Sequence, residues 1–216
     1  MTDSAAARAY WDAAADAFDQ APDHGLRQAA TRGAWAARLA SWIPRAPADV
    51  LDVGCGTGSL TLLLAEAGHR VTGVDLAPRM VGHARAKLAA AGLAGRFLVG
   101  DAAQPPTRAA AFDVVLSRHL VWTLADPAAA LRAWVARLRP GGTLVLVEGR
   151  WRQAGEAAPY VPGAERLPWH GGVTARELTD AVRPLVSEVR VEQLGHRPLL
   201  WGGPVTDERY ALIARA

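Results

Sequence analysis

Cysteine is nearly absent from this 216-residue chain, where Cys55 stands alone. No intrachain disulfide is possible and no cysteine zinc cluster can form. Lysine is as scarce: Lys87 is the single example among 24 basic residues, and arginine carries the rest of the positive charge. Those arginines are scattered among Ala, Asp and Glu rather than gathered with aromatics into a stripe. Nucleic acid is therefore not an expected partner, despite a net charge of +3 and a pI near 9.6. No apolar run approaches the ~20 residues needed to span a bilayer, so no membrane partner is expected. Met1-Thr2-Asp3-Ser4 lacks a basic stretch followed by an apolar core, so no signal peptide and a cytoplasmic location are expected. No spacing of His, Asp and Glu along the chain matches a metal site, and no metal is expected. Internal repeats and low-complexity linkers are missing as well.

What is present is an alternation of short apolar runs with helical patterns. Residues 4–43 read as helical, Ala5 to Phe18 and Leu26 to Ile43, broken at Pro22-Asp23-His24-Gly25, with a linker at Pro44 to Pro47. From there strands are expected at 49–54, 70–75, 95–100, 112–117 and 142–148, with helices at 58–67, 78–91 and 127–138. Pro140-Gly141-Gly142 reads as the turn before the fifth strand. A Gly/Pro/Trp-rich loop at 151–173, a helix at 174–183 and strands at 186–194 and 207–215 complete the chain. Alternating β and α predicts an α/β fold with a mostly parallel sheet covered on both faces.

The most informative stretch is Val50-Leu51-Asp52-Val53-Gly54-Cys55-Gly56-Thr57-Gly58, with Asp75 ending the next strand 21 residues after Gly54. Glycines at a strand-to-helix turn let the backbone approach a ligand and aim amide groups at it. An acid at the tip of the second strand is placed to accept hydrogen bonds from ribose hydroxyls. The pocket is therefore one for an adenosine-containing cofactor. Ser59 holds the third small-residue position of the dinucleotide fingerprint, and Asp52 would repel a pyrophosphate while suiting an ammonium group. That preference favours a methionine-derived sulfonium.

With these motifs in order from about Ala48 to Glu148, the chain resembles the class I S-adenosylmethionine-dependent methyltransferases, small-molecule enzymes with a type-11-like domain. The resemblance implies a Rossmann-like seven-stranded sheet in the order 3-2-1-4-5-7-6, strand seven antiparallel, with residues 1–47 as an N-terminal helical lid. Residues 48–216 would form the cofactor-binding domain, with 151–173 as the acceptor loop. It also implies the cofactor residues. Asp52, Gly54, Cys55, Gly56, Thr57 and Gly58 surround the methionine part, while Asp75 meets the ribose. Leu76 and Met80 lie near the adenine, Asp101 and Ala102 at its amino group, and Ser117 near the sulfonium. A turn cap is the lesser alternative for Asp101, and Asp113 reads as structural. Tyr10, with Trp11, is placed to lie beside the sulfonium or to pack a helix face. Leu138 to Leu144 resembles the family's post-helix turn, which is structural.

Methyl transfer needs alignment first and a base only when the acceptor must lose a proton. His119, directly after strand four, is a candidate base or an orderer of its loop against Trp122. His24 sits in the turn of the presumed lid as a second candidate or a turn cap. His170 lies in the acceptor loop or at the surface, and His69 and His83 read as surface positions. Trp122, Trp151, Trp169 and Trp201 fall in expected loops and suit an apolar or aromatic acceptor, or seal the domain edge. The leading expectation is methylation of O, N or C of such a metabolite, by a monomer or homodimer, yielding S-adenosylhomocysteine. A non-methylating cyclisation or rearrangement on the same fold, and a non-catalytic binding protein, remain open alternatives.

Overall fold

The computed structural model describes residues 4–43, 46–151 and 159–216. Parts of two expected features, the linker at 44–47 and the loop at 151–173, lie outside the described residues. Seven strands form one sheet in the order β3-β2-β1-β4-β5-β7-β6: β1 Asp49–Val53, β2 Arg70–Asp75, β3 Arg96–Val99, β4 Phe112–Arg118, β5 Leu138–Arg150, β6 Glu188–Gln193 and β7 Glu208–Arg215. All neighbours from β3 to β5 pair in parallel, and β7 pairs antiparallel with both β5 and β6. This is the expected sheet, with β7 reversed.

Side-chain alternation along the strands fills two cores. Val50, Val114, Leu116, Val145 and Val147 point to one face, where they meet α3 (Ala29–Trp42), α4 (Ser59–Glu66) and α5 (Pro78–Ala90). Leu51, Val53, Val115, Leu144 and Leu146 point to the other, against α6 (Pro127–Val135) and α7 (Ala175–Val182). Both faces of the central strands are covered, which is why their sequences are nearly continuous apolar runs. Asp52 shares the first face with Val50 and is only 3% exposed, its Oδ2 accepting a 2.6 Å bond from Thr61 Oγ1.

The N-terminal residues pack across the carboxyl ends of the strands. α1 (Ser4–Phe18) lays Trp11, Ala14, Ala15 and Phe18 on Ala77 and Met80 at the start of α5. The expected break at 22–25 is itself a short helix, α2 (Pro22–Gly25), closed by the amide of Leu26 donating to Pro22 O. A side chain at Gly25 would meet Asp19 O at 2.1 Å, so only glycine permits that return.

Three local expectations are revised. The helix expected at 127–138 ends at Val135, and β5 begins at Leu138. Pro140 to Gly142 thus lies within an irregular strand start, where the register against β4 shifts, rather than in a turn before the strand. Trp201 is not in a loop: it ends α8 (Pro198–Trp201) and is buried edge-on against Trp35, 5.5 Å between ring centres.

Candidate active site

The glycine turn after β1 is held by two bonds from its backbone: Gly54 N and Cys55 N both donate to Val74 O on β2. Gly54, Gly56 and Gly58 all have positive φ, which L side chains rarely adopt. Their free space differs. A Cβ on Gly54 would strike Leu120 Cδ2 at 2.8 Å and one on Gly58 would strike Ala84 Cβ at 2.8 Å, so both glycines admit protein neighbours. At Gly56 the nearest atom is Phe18 Cε1 at 3.4 Å, leaving the backbone open to the cavity. Asp75 closes the turn from β2, its Oδ2 accepting from Gly56 N and its Oδ1 from Ala77 N, each at 2.9 Å.

A cavity of about 780 Å³ opens over these groups. Asp52, Gly54, Cys55, Gly56, Asp75, Leu76, Met80, Asp101 and Ala102 line it, as do His24 and His119. Thr57, Gly58 and Ser117 do not, and neither does Tyr10, which is 41% exposed. Trp11 takes the wall position that Tyr10 was expected to share. Asp101 also caps its own turn, accepting 2.8 Å from Ala103 N. Asp113 accepts from Asp49 N and from Arg139, away from the cavity. Of the four tryptophans, Trp122 and Trp151 line the cavity, joined by Phe18 and Tyr160, while Trp169 packs against the second core. His170 is not among the lining residues, and His83 faces Asp16 at 2.9 Å on the exposed side of α5.

The carboxyl end of β4 carries Arg118 and His119. His119 has φ +56° and bonds Val147 O through its amide, while its own carbonyl accepts from Trp122 Nε1 at 2.8 Å. Its ring lies 4.9 Å from Trp151 and 6.1 Å from His24, and Nε2 is buried with no hydrogen-bond partner among the described residues. Burial first, then Arg118, His24 and Arg209, push its pKa well below the ordinary imidazole value. Burial likewise lowers His24, whose ring stacks on Phe18 at 4.4 Å. Both shifts favour the neutral ring. Asp52 is pushed up to about 6 by burial, and burial also raises Asp75.

Several site residues have no counterpart in the sequence reading. Glu148, wholly buried on β5, accepts from Leu120 N at 2.9 Å and Val121 N at 3.1 Å and so pins the segment after β4. Its Oε2 has no hydrogen-bond partner among the described residues, and burial pushes its pKa up to about 8. Lys87, on α5, meets Asp19 Oδ2 at 2.8 Å, Ser59 Oγ at 2.8 Å and Thr57 Oγ1 at 3.3 Å. Three acceptors match its three donors and join the N-terminal helices to the glycine turn. Asp23, His24 and His119 present ligand atoms all within 4.8 Å of one another, a cluster that chain spacing concealed. Two cations oppose a metal ion there: Arg209 Nη1 stands 3.9 Å from Asp23 Oδ2, and Arg118 Nη1 donates to Asp23 O.

Residues 51–146 match the methyltransferase domain family. A ubiquinone biosynthesis O-methyltransferase of Cereibacter sphaeroides is 30% identical over 179 residues, 78% of this chain and 72% of that protein. A malonyl-acyl-carrier-protein O-methyltransferase of Serratia marcescens is 37% identical over 122 residues, 55% of this chain. The chain spans about half the length of that relative and of a demethylmenaquinone methyltransferase of Thermus thermophilus, 46% and 49%. Among solved structures, the 1,6-didemethyltoxoflavin-N1-methyltransferase of Burkholderia thailandensis, bound to its acceptor and S-adenosylhomocysteine, superposes with a TM-score of 0.70. It is 26% identical, and the match covers 98% of this chain and 87% of that one. Motif order, sheet order and the extent of these matches agree: the chain belongs to the class I S-adenosylmethionine-dependent methyltransferases.

Proposed function

We propose that the protein transfers a methyl group from S-adenosylmethionine to O, N or C of a small apolar or aromatic acceptor. The observation that carries this reading is one cavity lined both by the glycine turn with Asp75 and by His24 and His119 among aromatic rings. The residues fit the cofactor on three counts. Gly56 leaves its backbone uncovered. The Asp75 carboxylate stands at the mouth of the turn. Asp52 offers a buried acid with one oxygen engaged by Thr61.

Asp52 and the glycine turn would hold the methionine part, Asp75 the ribose, and Leu76, Met80, Asp101 and Ala102 the adenine. When bound, S-adenosylmethionine supplies an electrophilic methyl on a positively charged sulfur. Trp11, Phe18, Trp122, Trp151 and Tyr160 exclude water and orient a flat acceptor. Such positioning alone lowers a barrier by ~7–11 kcal/mol. His119 takes a proton at Nε2 where the acceptor must lose one, since that buried atom has no hydrogen-bond partner among the described residues. A base of such low pKa suits an acceptor whose proton is already fairly acidic, such as an aromatic hydroxyl. Residues 4–25 serve as a lid, held over the cavity by Lys87 and Asp19.

Calorimetric titration with S-adenosylmethionine, S-adenosylhomocysteine and NAD tests the cofactor assignment. Micromolar binding of the first two and none of NAD is expected; binding of NAD alone would overturn it. Acceptor screening then follows with the loaded enzyme.

A further inference from the structure

Arg118 is a half-buried cation that makes no ion pair among the described residues, although Asp23, Asp52 and Asp19 favour its charge from a distance. It lines the cavity, and among the described residues only one of its five donors is engaged, Nη1 bonding the neutral carbonyl of Asp23 at 2.5 Å. Its other contact is the ring of Trp35, 4.9 Å below the guanidinium carbon. Among the described residues no carboxylate oxygen lies within 4.0 Å of it. Arg209, the other guanidinium of the cavity, is fully answered: Asp207 holds it by two bonds of 2.7 and 2.9 Å. Buried charges are ordinarily paired, because leaving one alone in a poorly hydrated place costs several kcal/mol.

The surroundings define what would complete Arg118. β1 and β4 are neighbours in the sheet, with Asp52 opposite Leu116. By strand alternation Arg118 therefore lies on the same face as Asp52, just beyond it. Each contributes to the other's electrostatic environment, yet no ion pair joins them. An acid and a guanidinium set side by side without touching match a ligand carrying both a cationic and an anionic group.

We infer that Arg118 is a carboxylate-binding residue of the cavity, gripping a ligand carboxylate with its free donors while Asp52 takes a neighbouring ammonium. The pairing favours the α-amino-acid end of the cofactor as the source and in that respect rests on the reading above. A carboxylate on the acceptor is the second source of the same chemistry. An arginine fork suits a carboxylate bidentately, which a lysine would not reproduce.

The test is calorimetry on wild type, Arg118→Met and Arg118→Lys with three probes. These are S-adenosylhomocysteine, 5′-methylthioadenosine (which lacks the amino-acid end) and, with S-adenosylhomocysteine present, naphthalene-2-carboxylate against its neutral carboxamide. Arg118→Met is expected to weaken S-adenosylhomocysteine about thirtyfold or more and to leave 5′-methylthioadenosine within about threefold, as for loss of one partner of a buried charge pair. Arg118→Lys should recover part of the loss, and it keeps the test alive if the methionine variant does not fold. Selective loss of naphthalene-2-carboxylate, with S-adenosylhomocysteine unchanged, would assign the carboxylate to the acceptor instead. Equal weakening of S-adenosylhomocysteine and 5′-methylthioadenosine, or no change in any carboxylate probe, would overturn the inference. Failure of the wild type to bind either adenosine ligand would instead sink the cofactor reading, and the naphthalene pair would then decide Arg118 alone.

Discussion

Replacing Glu148 with glutamine should reverse the sign of its effect on stability between mildly acidic and alkaline pH. The carboxyl is wholly buried, its Oε1 takes two backbone amides, and Oε2 meets no hydrogen-bond partner among the described residues. Burial raises it from 4.5 to about 8. Below the unfolded value both states are protonated and the group costs nothing. As pH rises towards 8 the unfolded chain releases the proton while the folded protein retains it, and stability is lost. The shift corresponds to an upper bound of about 5 kcal/mol, at ~1.4 kcal/mol per pH unit. Glutamine keeps the acceptor for Leu120 N and Val121 N but buries two amide hydrogens where the acid buries one hydroxyl. At pH 5 the variant should therefore be less stable than wild type, by about 1–3 kcal/mol. At pH 8.5 it should be the more stable protein. Urea unfolding followed by tryptophan fluorescence at pH 5, 6, 7, 8 and 9 reads both curves. His24 and His119 titrate in each protein and cancel in the difference. Parallel curves across this range would refute the assignment of a buried neutral acid at Glu148.

Asp75→Ala removes the acceptor of Gly56 N and Ala77 N and the proposed ribose partner, so S-adenosylhomocysteine affinity should fall at least about tenfold by calorimetry; unchanged affinity rejects the role. His119→Ala, assayed with an acceptor found by screening, should cut turnover by ~10²–10⁴ while leaving S-adenosylhomocysteine affinity intact. In wild type the acidic limb of the pH–rate profile should lie below pH 6.5, because the imidazole is held well below that value and becomes useless as a base once protonated. A profile without that limb, or full turnover in the variant, excludes proton transfer at His119. Lys87→Met cuts the bonds to Asp19, Thr57 and Ser59, so trypsin should cleave at Arg8 or Arg27 faster than in wild type. Equal cleavage rates would show that the N-terminal helices are held by their apolar contacts alone.

The sheet and the cofactor end of the cavity were legible because their signals are local. Val50 to Gly58 places a strand, a turn and a helix start in nine consecutive residues, and each has one consistent physical reading. Asp75 then follows from strand periodicity. The errors sit where tertiary pairing overrides local chemistry. Pro140-Gly141-Gly142 reads as a turn, yet Phe112 of β4 pairs with Leu138, and Ala216 exchanges backbone bonds with Gly141 and Gly142, so the strand reaches back to Leu138. Trp201 reads as a loop residue because four residues of helix leave no period to detect.

The other wall of the cavity was legible only residue by residue: Trp11, His24, His119 and Trp151 stood out as candidates, while Arg118, Tyr160 and Arg209 did not. It gathers Trp11, His24, Arg118, His119, Trp151, Tyr160 and Arg209 from five separate parts of the chain, and no spacing links them. Only two of its supports left a mark in the sequence. Lys87 is the one lysine in a chain that otherwise uses arginine, and its three-donor head meets three oxygens that a planar guanidinium would reach less well. Glu148 is the one acid after four consecutive apolar residues of β5. A charge that interrupts a buried strand must be answered by hydrogen bonds or by neutralisation. Here both occur: the amides of Leu120 and Val121 answer one oxygen, and retention of a proton answers the other. The segment that bears His119 is thereby fixed from beneath the cavity. The same rule applied to Arg118 finds one hydrogen bond, to Asp23 O, and no carboxylate within 4.0 Å among the described residues, and a guanidinium does not shed its proton at neutral pH. On the inference drawn above, the partner arrives with the ligand.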